Sequence, residues 1–375
     1  MKKILILAGR YLPGYKDGGP VRTLINLTDL LGDEYDFRLV VLDRDHGDAQ
    51  PYHGIKVNQW NQVGKARVWY YRPGEMKCSL IRKLAREVDL IYLCGFYDGY
   101  GYKTLILNRM GRLFGRPVVV ASMGTFSKGA LSQKSLKKKV FIGLCKGLGL
   151  FNDITWSVTS EYELEDVKRE ISIAARCMIA EDPPRSSVLM RPKRRSGPLK
   201  IIFLSRICVQ KNLLYCAEVL HEVLSDIKFD IYGPQEDQEY WNLCESALKK
   251  LPKNVKWEYC GEVDTNRVPE IFAGYDIFFF PTLGENYGHV IFESLASGCI
   301  PIISDQTPWN DLATNLAGYV IPLNKKEDFI NAIEKCAKMD AGEMETMFRN
   351  ATKYASNKIQ RTKKETGYKT IFEGI

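Results

Sequence analysis

Two glutamates, Glu285 and Glu293, stand eight positions apart in the segment PTLGENYGHVIFESLASGCIPIISDQTPW. The run HVIFESLASG is apolar almost all round, which predicts a buried helix around Glu293. An ionised carboxylate there is costly unless it accepts hydrogen bonds, and the adjacent hydroxyls of a ribose could donate them. A structural pairing with a nearby arginine or backbone amide would also satisfy this carboxylate, and the sequence leaves both readings open.

The loop before this helix is where a ligand could reach Glu285. The helix is predicted to begin near Gly288, and its first amides and the positive end of its dipole suit a diphosphate. His289 falls in the first turn, where it could contact phosphate or sugar, or could cap and pack the helix. The chemistry that these residues favour is the binding of a nucleoside diphosphate.

Two cations, Arg206 and Lys211, form a second group in FLSRICVQKNLLYCAEVL. Arg206 follows a predicted strand, and Lys211 stands near the start of the next helix, where a cation opposes the helix dipole. A nearby anion would stabilise that position, whereas the alternative is a solvated surface lysine. Because strand ends in a doubly wound domain face one crevice, we expect these cations and the two glutamates to share a ligand site.

Continuous apolar runs alternate with helix-length segments along the chain, which predicts parallel sheets covered on both faces. The predicted strands are 3–8, 37–42, 89–94, 117–122, 155–159, 201–205, 228–233, 255–260, 276–281 and 299–304. The helices predicted between the later strands include 211–225, 237–250, 288–297 and 325–339. The expected fold class is α/β, with two Rossmann-like doubly wound domains that face each other across a cleft.

Proline and basic residues mark a break between the two arrays. The stretch EDPPRSSVLMRPKRRSGP has no apolar periodicity, and we place the linker at 185–198. The predicted domains are therefore 1–184 and 199–342, and 343–375 is expected to be helical and basic.

The motifs and their order resemble those of the retaining family 4 glycosyltransferases, which have the GT-B fold. ENYGHVIFE at 285–293 matches the E-x7-E motif of that family, RICVQKN looks like its Arg…Lys pair, and SGCIPIISDQTPW is similar to the segment after its second glutamate. The similarity covers nearly all of 200–335, and transferases of bacterial surface polysaccharides are the members it resembles. In this fold the C-terminal helix commonly crosses back to the first domain, which implies the same for 343–375.

The resemblance implies a role for each residue of the motifs. It makes Glu285, Arg206 and Lys211 the catalytic set, with the two cations on the donor diphosphate and Glu285 on the sugar. The implied donor-binding residues are Glu293, Tyr287, Gly288, His289 and Val290, together with Gly18 and Gly19. No metal or other cofactor is implied, since the nucleotide-sugar is a substrate.

The first half carries weaker signals. Gly18 and Gly19 precede Pro20 and a predicted helix, which gives a sharp loop with free amides; an ordinary βα turn explains the pattern equally well. The segment ASMGTFSKGALSQKSLKKKVFIGL resembles one in the polysaccharide transferases, although it lacks the arginine or histidine that many relatives place near Met123. The residues predicted to bind the acceptor are Ser122, Thr125 and Lys128.

Two further patterns have alternative explanations. A predicted helix within 131–148 is apolar on one side and rich in lysine on the other, so it could dock on an anionic membrane and meet a lipid-linked diphosphate acceptor. Alternatively, its apolar side covers its own sheet.

Asp43-Arg44-Asp45 is a D-x-D, the metal-binding signature of the other major glycosyltransferase fold, but we expect a surface turn there.

Composition limits the partners, metal sites and location that are expected for the chain. The net charge of +8 favours phosphates, anionic lipids or nucleic acid, and only the basic linker favours nucleic acid, so none is expected as a partner. The ten cysteines include no CxxC pair, which is typical of reduced core thiols, and no two of the four histidines have the i,i+4 spacing of a metal site. No apolar run is long enough to span a bilayer. A cytoplasmic location is expected, with the inner face of the plasma membrane as the membrane alternative.

The sequence therefore predicts a metal-independent, retaining glycosyltransferase. It would move a hexose-type sugar from a nucleotide-diphosphate sugar to a hydroxyl of a glycan or undecaprenyl-diphosphate-linked acceptor, in O-antigen or capsule biosynthesis. Two alternatives stay open. One is a nucleotide-sugar 2-epimerase or hydrolase of the same fold, and the other is a non-catalytic subunit that binds sugar or polyanion.

Overall fold

The computed structural model describes residues 1–126, 135–189, 197–264 and 267–375. The chain divides into two compact units. The first unit is Met1–Pro183 together with Thr362–Ile375, and the second unit is Pro184–Arg361. Lys128, which was predicted to bind the acceptor, and part of the predicted linker lie outside the described residues.

The first unit is built on a sheet that has eight strands within the described residues. They are β1 (Lys2–Leu7), β2 (Tyr35–Leu42), β3 (Trp60–Val63), β4 (Ala66–Tyr71), β5 (Leu90–Cys94), β6 (Val118–Ala121), β7 (Ile154–Val158) and β8 (Cys177–Ile179). Their order across the sheet is β3-β4-β2-β1-β5-β6-β7-β8. The helices of this part are α1 (Gly19–Leu31), α2 (Cys78–Ala85), α3 (Gly99–Arg109), α4 (Ser135–Gly147) and α5 (Glu161–Glu170).

One edge of this sheet departs from the prediction. β3 pairs with β4 in the antiparallel sense, with Val63 opposite Ala66, so a hairpin that was not predicted forms this edge. The two residues between these strands are Gly64 and Lys65, and Gly64 has a positive φ of 56°, which a tight hairpin turn favours. The remaining pairs in the sheet are parallel.

The second unit has a parallel sheet of six strands in its described part. They are β9 (Leu199–Leu204), β10 (Ile227–Tyr232), β11 (Val255–Gly261), β12 (Ile277–Phe280), β13 (Ile300–Ser304) and β14 (Tyr319–Ile321), in the order β11-β10-β9-β12-β13-β14. The helices are α6 (Leu213–Leu220), α7 (Gln238–Leu248), α8 (Val268–Ala273), α9 (His289–Ala296), α10 (Lys326–Lys338) and α11 (Ala341–Lys364). Every residue of β12 is buried, as expected of a central strand covered on both faces.

The end of the chain belongs to the first unit. The chain leaves the second unit within α11, and α12 (Gly367–Glu373) packs on the first sheet. The ring of Phe372 meets those of Tyr35 and Phe37 edge-on, with centroids 5.3 and 5.9 Å apart. Burial of these aromatic rings fixes the last helix in the core of the first unit.

The four helices predicted between later strands are present, and one is much shorter than predicted. The segment 211–225 was expected to be a single helix, but α6 begins at Leu213 and ends at Leu220. Asn212 adopts a left-handed conformation with φ of 61°, which separates α6 from a single 3₁₀ turn at Val209–Lys211. Lys211 therefore lies before the α-helix, in a turn of its own.

Candidate functional site

The strand order of the second unit reverses between β9 and β12. The chain runs from β9 outward to β11 on one side and from β12 outward to β14 on the other. A ligand crevice in an open α/β sheet lies at such a switch point, beyond the carboxyl ends of the two strands. The loop after β9 contains Arg206 and Lys211, and the loop after β12 contains Glu285. The predicted catalytic set is therefore on the two loops that border this point.

Lys211 and Glu285 form an ion pair between these loops. The Nζ of Lys211 donates to the Oε1 of Glu285, and both side chains are largely buried. Lys211 also lies over the ring of Phe280, with 5.8 Å between Nζ and the centroid. The anion expected near Lys211 is thus supplied by the chain itself, so the position of this lysine is not by itself evidence of a bound phosphate.

Side chains that the sequence analysis did not single out hold the two loops together. The hydroxyl of Thr282 donates to the carbonyl of Gln210 at 3.0 Å and lies 3.5 Å from the Oε1 of Glu285. The amide of Gln210 donates to the carbonyl of Gly284 at 3.1 Å, and the amide of Leu283 donates to the carbonyl of Gln210 at 2.9 Å. These bonds join residues about 72 positions apart along the chain, so no local pattern announces them.

Arg206 is the more exposed member of the cation pair. Its side chain is 53% exposed, and its NH1 donates to Glu236 at 2.6 Å. The backbone beside it is tightly packed, because a Cβ on Gly233 would lie 1.8 Å from the carbonyl oxygen of Ser205. Only glycine fits this approach. The glycine that ends the predicted strand 228–233 is the signal from which the contact could have been inferred.

The first turn of α9 faces the same edge of the sheet. Gly288 caps the helix in a left-handed conformation with φ of 80°, and a Cβ there would come within 2.9 Å of Ile291. Tyr287 is buried against the rings of Trp309 and His289, and the Nε1 of Trp309 donates to the carbonyl of Tyr287. His289 and Val290 are the first two residues of the helix and are half-buried.

Glu293 lies in the middle of α9 and is buried, as the apolar sequence predicts. The apolar side chains of Phe292 and Leu295 in the same helix are also buried. The structure thus places Glu293, Gly288 and Glu285 on one helix and its leading loop. The prediction that Glu293 binds a ribose stays a prediction.

The comparable edge of the first unit lies between β1 and β5. Gly18 is the N-cap of α1 with φ of 63°, Gly19 is its first residue, and no atom lies within 4 Å of a Cβ built on either. The loop before them is bound by Asp45, whose Oδ2 accepts from the amides of Tyr15 at 2.8 Å and Lys16 at 3.3 Å.

The expectation that Asp43-Arg44-Asp45 forms a surface turn is wrong for its carboxylates. Both Asp43 and Asp45 are buried. Each carboxylate is stabilised there because it accepts hydrogen bonds from the chain around it. Asp45 binds the loop before α1, and Asp43 accepts from the Nε of Arg44 at 2.8 Å. Asp45 therefore holds the loop before α1 in place, and we call this contact of Asp45 with Tyr15 and Lys16 the clamp.

A charged triplet that sequence reasoning missed stands beside this clamp. Asp17 accepts from the NH1 of Arg10 at 2.8 Å, and its other oxygen lies 2.8 Å from the Nδ1 of His46. His46 comes directly after Asp45, so one short segment fixes both the loop and the triplet. Nothing in the spacing of Arg10, Asp17 and His46 marks them as neighbours.

The predicted acceptor residues lie after β6. Ser122 is fully buried, and its hydroxyl donates to the carbonyl of Ser157 at 3.3 Å, so it faces the interior of the first unit. Thr125 is half-buried in the turn that follows, and its amide donates to Ser122. This turn is held by Glu163, which accepts from the amides of Gly124 and Thr159.

Within the described residues, three side chains with metal-ligating atoms come close together at one place. Asp230, Glu258 and Cys260 each place a ligand atom within 4.8 Å of the others. The Nζ of Lys228 lies 3.1 Å from the Oδ2 of Asp230, and the hydroxyl of Tyr275 donates to the same oxygen at 2.7 Å. An ammonium group thus already balances this carboxylate, and the absence of a metal requirement stays a prediction.

The ten cysteines are free thiols, and six of them are buried. Burial raises the pKa of the Cys244 thiol to about 11, and it also raises the pKa of Cys216. Both thiols are therefore protonated and pack as apolar groups near neutral pH. Within the described residues, no helix has the length and apolar character needed to cross a bilayer.

Comparison with known proteins agrees with this architecture. Residues 189–354 match the family model of glycosyl transferases group 1. A glycogen synthase from Thermosipho melanesiensis is 34% identical over 113 residues, which are 30% of this chain and 23% of that protein. The chain spans 23% and 34% of the length of the first two curated relatives that it matches.

Solved structures match along the whole chain. HepE from Anabaena, determined in complex with UDP and glucose, has a TM-score of 0.68 at 15% identity, and all of both chains is covered. WaaG, a glycosyltransferase involved in lipopolysaccharide biosynthesis, has a TM-score of 0.64 at 12% identity, with 99% of this chain and 100% of that chain covered. At these identities the likeness establishes the GT-B fold. The residues that match the glycosyl transferases of group 1, 189–354, contain both loops of the switch point.

Proposed function

We propose that the chain is a retaining glycosyltransferase that moves a hexose-type sugar from a nucleotide-diphosphate sugar to an acceptor hydroxyl. The acceptor is a glycan or a glycan carried on a lipid diphosphate such as undecaprenyl diphosphate, at the cytoplasmic side of the membrane in surface polysaccharide biosynthesis. The observation that carries the proposal is the Lys211–Glu285 pair, which joins two loops at the switch point of the family-matched unit.

In this proposal each residue of the switch point has a separate role. Departure of the nucleoside diphosphate leaves negative charge on its β-phosphate, and Arg206, Lys211 and the first amides of α9 stabilise that charge. Three fixed positive groups make a divalent ion unnecessary. Glu285 holds the ammonium of Lys211 towards the crevice and contacts the sugar, while Glu293 accepts from the ribose hydroxyls.

The transfer step needs no additional base. The bond between the anomeric carbon and the β-phosphate oxygen breaks, and the acceptor oxygen bonds to the same face of that carbon. The acceptor proton passes to the departing phosphate oxygen. Anomeric configuration is therefore retained, and the lack of an arginine or histidine beside Met123 is no obstacle.

Two comparisons support the proposal, one for the donor and the other for the biosynthetic process. HepE was solved with UDP and glucose, and WaaG acts in lipopolysaccharide biosynthesis. The proposal carries these properties to this chain, with UDP-sugars as the first donors to try. A thermal-shift screen with UDP, GDP, dTDP and ADP sugars would identify the donor.

The test is Glu285→Gln, assayed with the donor found in that screen and with a bacterial lipid extract as the source of acceptor. We expect turnover to fall by about 10²–10³-fold with the melting temperature little changed, because the charge that organises Lys211 is lost. Glu239→Gln, at an exposed position in α7, is the matched control and should behave as the unsubstituted chain does.

Near-normal turnover in Glu285→Gln would overturn the assignment. Equal release of nucleoside diphosphate with and without acceptor would show a hydrolase or epimerase instead, and chelation of metal ions with EDTA should leave the rate unchanged.

A further inference from the structure

Helix α4 of the first unit exposes the apolar residues that a helix normally buries. Leu136, Val140 and Leu144 are 75%, 54% and 60% exposed, whereas Ile142 and Cys145 on the opposite side are buried in the core of the unit. The suggestion that the whole apolar side of this segment covers its own sheet is therefore wrong. α4 is docked on the sheet by a second apolar side and keeps the first one at the surface.

The exposed apolar residues form a single stripe. Successive helical residues are about 100° apart, so Leu136, Val140 and Leu144 fall within an arc of about 80°. Gly143 and Gly147 lie in or beside this arc and are exposed, and neither adds a side chain that would screen the apolar groups. Leu148, just beyond the helix and 64% exposed, extends the stripe by one more position.

Lysines border the stripe on both sides. On the same helical geometry Lys137 flanks one side of it, and Lys139 and Lys146 flank the other. These three side chains are exposed, and the sequence of α4, SLKKKVFIGLCKG, contains no acidic residue. An apolar stripe between two rows of lysine is the arrangement of a helix that lies in a membrane interface, with its lysines at the level of the headgroups.

The neighbouring helix extends the same character. α3 and α4 connect consecutive strands in one direction across the sheet, so right-handed crossovers put both on the same face. Ile106, Met110 and Phe114, four residues apart, are exposed at the end of α3 and just beyond it. A Cβ on Gly149 would lie 3.2 Å from the Nε of Arg109, so the ends of the two helices meet.

We propose that the outer face of α4 docks on an anionic lipid surface, with Leu136, Val140 and Leu144 in the acyl boundary and the flanking lysines on lipid phosphates. The charge selects this occupant, because a neutral apolar partner would leave the charges of Lys137 and Lys139 uncompensated, whereas anionic headgroups pair with both. The inference deepens the proposed function, since a surface of this kind would bring the chain to an acceptor carried on lipid. It rests on that function only for the biological reason to dock.

The test is co-sedimentation of the full chain with vesicles of phosphatidylcholine mixed with phosphatidylglycerol, compared with vesicles of phosphatidylcholine alone. We expect binding to the anionic vesicles only, and weaker binding as salt is raised. Lys137→Gln/Lys139→Gln and Leu136→Ser/Leu144→Ser should each lower binding by roughly tenfold or more. All four positions are exposed, so the melting temperature should stay unchanged.

Matched controls remove the same groups elsewhere. Lys253→Gln/Lys256→Gln and Leu224→Ser/Leu243→Ser alter exposed positions of the second unit and should bind vesicles as the unsubstituted chain does. Equal binding of the α4 variants and the controls would overturn the proposal, as would equal binding to the two vesicle types. A loss of self-association in the α4 variants, without a loss of vesicle binding, would assign the face to a second copy of the chain.

Nucleotide binding separates this proposal from the proposed function. The α4 variants should bind the donor nucleotide as tightly as the unsubstituted chain, because α4 lies in the first unit and Arg206, Lys211 and Glu285, which the proposal places on the donor, lie in the second. A chain that binds vesicles through α4 but binds no nucleotide would leave the docking surface standing and would contradict the transferase assignment alone.

Discussion

The two units use glycine differently at the carboxyl edges of their sheets. In the second unit a Cβ on Gly233 would collide with the carbonyl of Ser205, beside Arg206. In the first unit Gly18 and Gly19 have open space where a Cβ would stand, and only Gly18 has a positive φ. At the edge of the second unit, backbone atoms fill the space beside the glycine. At the edge of the first unit, the space beside the glycines at the start of α1 is open.

Side chains repeat this contrast. The loops of the second edge are joined by the Lys211–Glu285 pair, in which both groups are directed at one another across the switch point. At the first edge the carboxylate of Asp45 binds backbone amides, and the space around a Cβ built on Gly18 or Gly19 is open. The contrast indicates that an ion pair organises the edge of the second unit, whereas the edge of the first unit is shaped by its loop.

The largest effect that this comparison predicts is on stability at the closed edge. Gly233→Ala should cost about 3 kcal/mol in the free energy of unfolding, because the added methyl meets backbone at a positive φ of 135°. Gly19→Ala should instead be neutral or stabilising by about 0.5 kcal/mol, since the position is helical and open. Urea unfolding of the two variants gives the comparison, and equal losses would remove the distinction between the edges.

A smaller effect is expected from the clamp of the first edge. Asp45→Asn should lower the free energy of unfolding by about 1–2 kcal/mol, because charged hydrogen bonds to the amides of Tyr15 and Lys16 become neutral. Nucleotide affinity should be unchanged, since Arg206, Lys211 and Glu285, which the proposal places on the donor, belong to the other unit. Asp48→Asn, which breaks only an exposed pair with Lys16, is the control and should stay within about 0.5 kcal/mol of the unsubstituted chain. A loss of nucleotide affinity in Asp45→Asn would contradict this separation of roles.

The smallest stability effect is predicted for Arg206→Ala. Its pair with Glu236 is about half exposed, so the loss should be no more than about 0.5 kcal/mol. Affinity for a nucleoside diphosphate should nevertheless fall by about tenfold, because one of the charges on the phosphate is removed. Chemical unfolding and calorimetric titration on the same variant check both statements. A large stability loss with unchanged affinity would make Arg206 a structural residue.

Much of the fold could be predicted from the sequence, because most strands are continuous apolar runs. All ten predicted strands are present, including β12, where IFFF is buried throughout. The strands that were missed lack this signal. β14 and β8 have only three residues each. β3 reads WNQV, with two polar residues in its middle, and in β4, which reads ARVWYY, Arg67 interrupts the apolar run.

The side chains of the site were less predictable, since their partners are distant along the chain. The sequence indicates that Lys211 needs an anion, but not that Glu285, 74 positions later, supplies it. Asp45 looks like part of a polar turn until the loop from Tyr15 to Lys16 is seen to fold over it. Glu293 was predictable as buried because burial follows from the helix around it, and that evidence is local.

The central claim is that the second unit binds a donor nucleotide through the two loops of its switch point. It is tested most directly by calorimetric titration of the nucleoside diphosphate selected in the donor screen against Lys211→Met. Lys228→Met, which removes an ion-paired lysine from β10, is the matched control. The account predicts that affinity falls by about tenfold or more for Lys211→Met, because a direct charge on the diphosphate is lost, and that it is unchanged for Lys228→Met. Equal affinities in the two variants, or no binding of any nucleotide by the unsubstituted chain, would contradict it.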